Sequence, residues 1–187
     1  MSRVGVLALQ GDVREHIQAL EAIGVETLQV KTPAQLETVD ALVIPGGEST
    51  TIGKMAVRFE LLDPMRSAIQ DGLPVYGTCA GMILLAAAVT DGDQPLLASL
   101  DVVVRRNAFG RQNESFEADL DIEGLDSPFH AVFIRAPWIE KVGSEVEVLA
   151  SIDGHPVMVR QGKILATSFH PELTGDDRVH RMLVGVI

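Results

Sequence analysis

The sequence predicts an α/β fold of three layers: a mostly parallel central sheet with helices on both faces, and antiparallel strands in the second half. Two observations carry this. Through the first half, short apolar runs of buried-strand character alternate with stretches of helical periodicity, and each parallel crossover needs such a helix to return the chain. In the second half the helices give way to closely spaced strands separated by Gly-containing turns. The 187 residues suit a single domain spanning 1–187 and are enough to bury a substantial core.

The elements follow in order. Val4–Leu9 is an apolar run ending in Gln10-Gly11, a buried parallel strand and its turn. Val13, Ile17, Leu20 and Ile23 then repeat at helical spacing, and Gly24 closes the helix. Glu26–Val30 and Ala41–Ile44 are the next two strands, the latter running into Pro45-Gly46-Gly47. A polar helical stretch follows, interrupted near Asp63-Pro64, then the buried strand Pro74–Tyr76 and a helix over Ala80–Val89. Strands are expected at Val102–Val104, Phe116–Ile122, Ala131–Ile134, Val146–Ile152, Val157–Arg160 and Ile164–Ser168. Asp153-Gly154 and Gln161-Gly162 mark hairpin turns between the last three, and a final helix runs from Asp176 towards Ile187.

Composition narrows the function. A hydrophobic content of 47% is that of a globular chain, while only 4% aromatic residues leave the core to Leu, Val, Ile and Ala. A net charge of -11 speaks against nucleic acid, whose phosphates need a basic patch. No apolar run approaches bilayer-spanning length, and Met1-Ser2-Arg3 runs straight into a strand, so the expectation is a cytoplasmic protein without membrane attachment. With one cysteine, no intrachain disulfide forms, and no pair of His or Cys has metal-ligand spacing; no metal or cofactor is expected. Gly46–Lys54 superficially resembles a phosphate cradle. Glu48 and Met55 occupy the positions where a P-loop needs Gly and Ser or Thr, so nucleotide binding is rejected.

The informative segment is Gly77-Thr78-Cys79-Ala80-Gly81, placed between a buried strand and a helix. This is the setting of a nucleophile elbow, with cysteine as the reactive residue. The turn is so sharp that side chains at the two glycines would collide with neighbouring backbone, and the helix N–H groups favour the thiolate. A lone cysteine is more often a small buried apolar residue. Strand, glycine bracket and helix in register favour the nucleophile instead. Of the five histidines, His16 and His180 fall inside helices, where a solvated face is the default, and His130 and His155 flank strands near turns. His170 follows a strand and precedes Pro171-Glu172. In an extended segment residues two apart share a side, so Glu172 would stand behind the His170 imidazole and orient it.

With these motifs, the sequence resembles the class I, triad-type glutamine amidotransferases. It is similar in particular to the glutaminase subunits of pyridoxal 5'-phosphate synthase. The blocks that carry the resemblance are Gly5–Gly11, Pro45–Thr51, Gly77–Met82, Arg105–Gln112 and Ser168–Glu172, spread from end to end. Met82, where many amidotransferases carry glutamine, agrees with that branch. The resemblance implies Cys79 as nucleophile, His170 as proton carrier and Glu172 as its orienter. It places an oxyanion between the backbone N–H groups of Gly47 and Ala80, and L-glutamine against Gly46, Gly47, Glu48, Ser49, Arg106, Ile134 and Arg135. Gln10 would lie at the interface with a barrel-shaped synthase subunit that receives the ammonia. The alternatives are a stand-alone γ-glutamyl hydrolase, against which the Arg106 block speaks, and a non-catalytic regulatory subunit, against which the intact Cys79, His170 and Glu172 speak.

Overall fold

The computed structural model describes residues 2–109 and 115–187, so Gly110, Arg111 and Gln112 of the Arg105–Gln112 block lie outside the described residues. The first half reads β1 (Arg3–Leu7), α1 (Val13–Ala22), β2 (Glu26–Val30), α2 (Pro33–Leu36), β3 (Ala41–Ile44), α3 (Ser49–Arg58), α4 (Leu62–Gln70), β4 (Val75–Thr78) and α5 (Ala80–Leu85). The second half adds β5 (Ala86–Val89), β6 (Leu100–Arg105), β7 (Ser115–Leu120), β8 (Phe129–Ile134), β9 (Trp138–Val142), β10 (Glu147–Ile152), β11 (His155–Gln161), β12 (Ile164–Thr167) and α6 (Arg178–Val184). The fold class expected from sequence is the one observed.

The central sheet has seven strands in the order β10-β11-β12-β4-β3-β1-β2. From β12 to β2 all pairs are parallel, while β11 and β10 extend the edge antiparallel. Asp153 and Gly154 both take positive φ (49° and 80°), as the tight β10–β11 hairpin requires. Two small sheets, β5-β6-β9 and β7-β8, stand apart.

Strand alternation sorts the core onto two faces. Leu42, Ile44, Val75 and Ala166 point to the side covered by α2–α5. Val4, Val6, Val43, Tyr76 and Leu165 point to the side covered by α1, α6 and the β7–β8 hairpin. Of the residues flanking the elbow, Gly77 falls on the first face, against Leu85, and Thr78 on the second, against His16.

Four local expectations are corrected. The helix from Ala80 stops at Leu85, because Ala86–Val89 pairs in parallel with β6; strand pairing there overrides alanine's helix preference. The break in the polar helical stretch falls at Phe59–Leu61, where Glu60 has φ 54°, and not at Asp63-Pro64. Pro64 sits in the first turn of α4, where a missing N–H costs nothing. The strand β9 and the short α2, closed by a Thr32–Gln35 capping box, have no counterpart among the elements expected from sequence. Finally, Pro171–Leu173 is a 3-10 turn and not an extended segment.

Candidate active site

Cys79 joins β4, at the centre of the sheet, to α5. Its backbone is held at φ 50°, ψ −100°, a region that costs a non-glycine residue on the order of 1–3 kcal/mol. Sheet and helix enforce it: the Cys79 N–H donates to Thr167 O across to β12 (2.7 Å), and its carbonyl accepts from Ile83 N in α5 (3.1 Å). The flanking glycines have no room for a side chain. A Cβ at Gly81 would lie 2.1 Å from Ile44 O, and one at Gly77 would lie 2.7 Å from the Gly81 backbone. The collision inferred from the motif is therefore present at both positions.

The strand order does the rest. β12 and β3 flank β4, and β1 flanks β3. The segments leaving their carboxyl ends, Phe169-His170, Pro45-Gly46-Gly47 and Gln10–Asp12, therefore meet Cys79 at one edge, the crevice where open α/β sheets place ligands. His170 is 4% exposed, and its Nδ1 lies 2.7 Å from Glu172 Oε1 and 3.4 Å from Asp12 Oδ2. The 3-10 turn at Pro171 curls the Glu172 carboxylate under the ring, achieving the alignment expected of an extended segment by a different geometry. Burial pulls the imidazole down, but hydrogen bonds with Asp12, Cys79 and Glu172, and the Glu172 charge, outweigh it and push His170 up to about 12. Burial pushes the fully enclosed Glu172 carboxyl up, against the hydrogen bond and charge of His170.

The crevice holds a cavity of about 330 Å³, at the small end of the range for ligand sites. Gln10, Gly47, Glu48, Ser49, Cys79, Arg106, Ile134, Arg135 and His170 all line it, so Gln10, expected at a partner interface, stands in the wall beside the residues expected around glutamine. Glu172 lies behind His170, outside the cavity wall, and Ala80 is buried at the start of α5. Gly46 is pinned between His170 and Asp12: a Cβ there would come within 2.4 Å of His170 Cε1. Across from the triad, Arg106 Nη1 lies 3.3 Å from Gln94 Oε1 and 3.4 Å from Thr50 Oγ1, and Nη2 lies 3.5 Å from Glu48 Oε1. The Glu48 carboxylate caps α3 by accepting from Thr50 N (3.1 Å) and Thr51 N (2.7 Å). Burial would raise it, but hydrogen bonds hold it below its ordinary value, first that from the Thr51 hydroxyl (2.7 Å) and then those from the two N–H groups. Gln10 Oε1 accepts from the Glu48 N–H at 2.8 Å, tying the first loop to the glycine loop.

The model of the SNO glutamine amidotransferase family matches residues 6–187. The chain belongs to the SNO glutamine amidotransferase family. It is similar to "Pyridoxal 5'-phosphate synthase subunit PdxT" of Frankia alni, with 62% identity over 188 residues covering 99% of this chain and 94% of the relative. The protein of the same name from Mycobacteroides abscessus is 61% identical, covering 98% and 96%. A crystal structure described as a glutamine amidotransferase matches with a TM-score of 0.94 at 54% identity, over 98% of this chain and 97% of that one.

Four residues at or beneath this site carry no signal in the sequence. Asp12 and Gln94 reach it from loops, with no motif around either residue to single it out. His16 and His180, expected on solvated helix faces, are instead completely buried beneath Glu172 and Thr78. That expectation is overturned for a geometric reason. α1 and α6 cover the same face of the sheet, so the histidine face of each turns inward. Asp12, His170 and Glu172 also bring ligand-type atoms within 4.8 Å of one another. A proton between His170 and Glu172 already satisfies that arrangement, which makes it a hydrogen-bonded group in its own right.

Proposed function

We propose that this chain is the glutaminase subunit of a pyridoxal 5'-phosphate synthase: it hydrolyses L-glutamine to L-glutamate and ammonia, and passes the ammonia to a partner synthase subunit. The observation that best supports this is the 2.7 Å His170–Glu172 pair set beside the strained Cys79 elbow in the wall of a cavity of about 330 Å³. Cys79 Sγ, its proton held on His170, attacks the side-chain amide carbon of glutamine. The C=O π pair moves onto oxygen, where the N–H groups of Gly47 and Ala80 receive it; such donors supply a factor of about 10²–10³. As the tetrahedral adduct collapses, the C–N bond breaks and His170 gives its proton to the departing amine, leaving ammonia and a γ-glutamyl thioester. Water, deprotonated by His170, then cleaves the thioester to glutamate and restores the thiol. Glu172 holds the ring and balances its charge throughout. Arg106 receives the substrate α-carboxylate, with Ser49, Ile134 and Arg135 forming the walls around the amino-acid head group.

Docking of the partner controls the site through Gln10. Its side chain packs against Gly47 and accepts from the Glu48 N–H, so the peptides of the glycine loop are tied to the loop after β1. Gly47, at φ 154°, tolerates a reorientation that another residue would resist. The test is ammonia release at saturating glutamine, with and without the barrel-shaped synthase subunit, for the native chain and for Gln10→Ala. The expected result is slow turnover alone and at least tenfold activation by the partner, lost in the variant. Full activity of the isolated chain would instead identify a stand-alone γ-glutamyl hydrolase.

A further inference from the structure

Beneath the triad, on the α1–α6 face of the sheet, lies a buried polar group that the reaction above does not use. His16 and His180 are both fully enclosed. His16 Nδ1 lies 3.0 Å from His180 Nε2, and His16 Nε2 lies 3.0 Å from Thr78 Oγ1 and 3.5 Å from Glu172 Oε2. Tyr76 stands edge-on to both rings, with centroids 6.2 and 5.9 Å away. Two buried atoms in this group have no hydrogen bond of their own, Glu172 Oε2 and His180 Nδ1.

The proton positions follow from the cost of leaving each atom bare. If Thr78 donated to His16 Nε2, that ring would turn a lone pair towards the inner Glu172 oxygen. The inner carboxylate oxygen would face that lone pair with no donor beside it, His170 serving the outer oxygen, and His180 would be left with an orphan N–H. If His16 carries its proton on Nε2, that N–H faces both Thr78 Oγ1 and Glu172 Oε2. His16 Nδ1 then accepts from the His180 Nε2–H, and the groups left bare are neutral ones, the lone pair on His180 Nδ1 and the Thr78 hydroxyl hydrogen. Turning a lone pair towards a buried carboxylate oxygen costs more than leaving neutral groups bare, so the second arrangement holds. Both rings are neutral in it. Burial, with the charges of His180 and His170, drives His16 well below its ordinary value, and burial brings His180 to about 4.

We propose that His16 is a positioning residue of the triad: its Nε2–H, oriented by His180, steadies the inner oxygen of Glu172 so that the outer oxygen keeps its bond to His170. Resting on the glutaminase reading, this extends the line Cys79–His170–Glu172 by two further side chains. Those side chains come from α1 and α6, elements that never reach the cavity.

The experiment measures steady-state glutaminase kinetics of the chain in complex with its synthase partner. His16→Phe should lower kcat about five- to tenfold, the upper range of an ordinary hydrogen bond, with KM for glutamine unchanged. The 3.5 Å contact is longer than a full charge-assisted one. His16→Gln, whose amide keeps a donor, should recover most of that loss. His180→Phe, which frees the His16 tautomer without touching Glu172, should lower kcat severalfold, and it serves if His16→Phe does not fold. The decisive comparison repeats each change in a Glu172→Gln background, where a residue acting through the carboxylate should cost less than about twofold more. A purely structural role would multiply through that background unchanged and overturn the proposal, as would native kcat in folded His16→Phe or, should that variant not fold, in folded His180→Phe. Cys79→Ala, run alongside, separates the two readings. If it is inactive while the histidine variants are unaffected, only the positioning role falls; if it is active, the triad falls with it.

Discussion

The two ends of the cavity are built in opposite ways. At the reactive end the side chains of the triad are buried. Glu172 is fully enclosed, His170 nearly so, their contact is 2.7 Å, and Cys79 is locked by bonds to β12 and α5. At the far end Arg106 is about a quarter exposed, and its contacts to Gln94, Thr50 and Glu48 run from 3.3 to 3.5 Å. The difference fits the tasks proposed for the two ends. Atoms that exchange a proton must be held within a fraction of an ångström, and the fold supplies this by desolvation and strain. A guanidinium that awaits a carboxylate gains from loose native partners, because they are cheaply exchanged for a charged, bidentate one.

Substitutions should expose this contrast. The largest effect belongs to the reactive end. Cys79→Ala should abolish ammonia release while leaving the unfolding transition in place, and His170→Ala should approach the same loss. Glu172→Gln should lose less, because an amide can partly orient the ring but cannot replace a proton carrier. A near-normal His170→Ala would dissolve the distinction between the two ends.

Next comes a stability effect beneath the reactive end. His180 titrates at about 4 in the fold, against 6.5 ordinarily. Between those values the unfolded chain takes up a proton that the folded chain refuses. The contribution of this group to stability is therefore complete above about pH 6.5 and falls as pH drops towards 4, by on the order of 3 kcal/mol. Denaturant titrations across that window should show the slope, and His180→Phe should flatten it. The lowered His16 should leave a remainder. An unchanged slope would remove His180 as its source.

The smallest change belongs to the far end. Arg106→Ala should raise KM for glutamine by about ten- to hundredfold, with kcat within a fewfold of native, because the α-carboxylate is bound alike in ground and transition states. Gln94→Ala, which removes one acceptor that steadies the guanidinium, should shift KM the same way by only a fewfold. A kcat loss larger than the KM rise at Arg106 would make the two ends alike and sink the contrast.

Much of this site is legible in the order of the residues, and the legible parts share a property. The elbow, its glycine bracket and the His170–Glu172 pair depend on residues within five positions of one another. Their chemistry is a matter of local geometry that a strand, a turn and a helix start always impose. Even where the local conformation differs from the expected one, as with the 3-10 turn at Pro171, the short tether keeps imidazole and carboxylate together. Ala86–Val89 goes the other way: its composition favours helix, and only a partner strand 14 residues further on, at Leu100, makes it β.

The sequence by itself determined the elbow around Cys79, the pairing of His170 with Glu172 and which glycines must stay bare, because these are enforced by neighbours along the chain. The tertiary structure alone decided what surrounds them. The order β12-β4-β3-β1 is a choice among sheet topologies, and it sets His170, Cys79, Gly47 and Gln10 in a row at one edge. The packing of α1 and α6 on a common face turned His16 and His180, 164 residues apart, from expected surface residues into a bonded pair under the triad. A polar side chain on a helix is equally compatible with water or with a buried partner. Only the element packed against it settles which, and that contact is not written in the residues beside it.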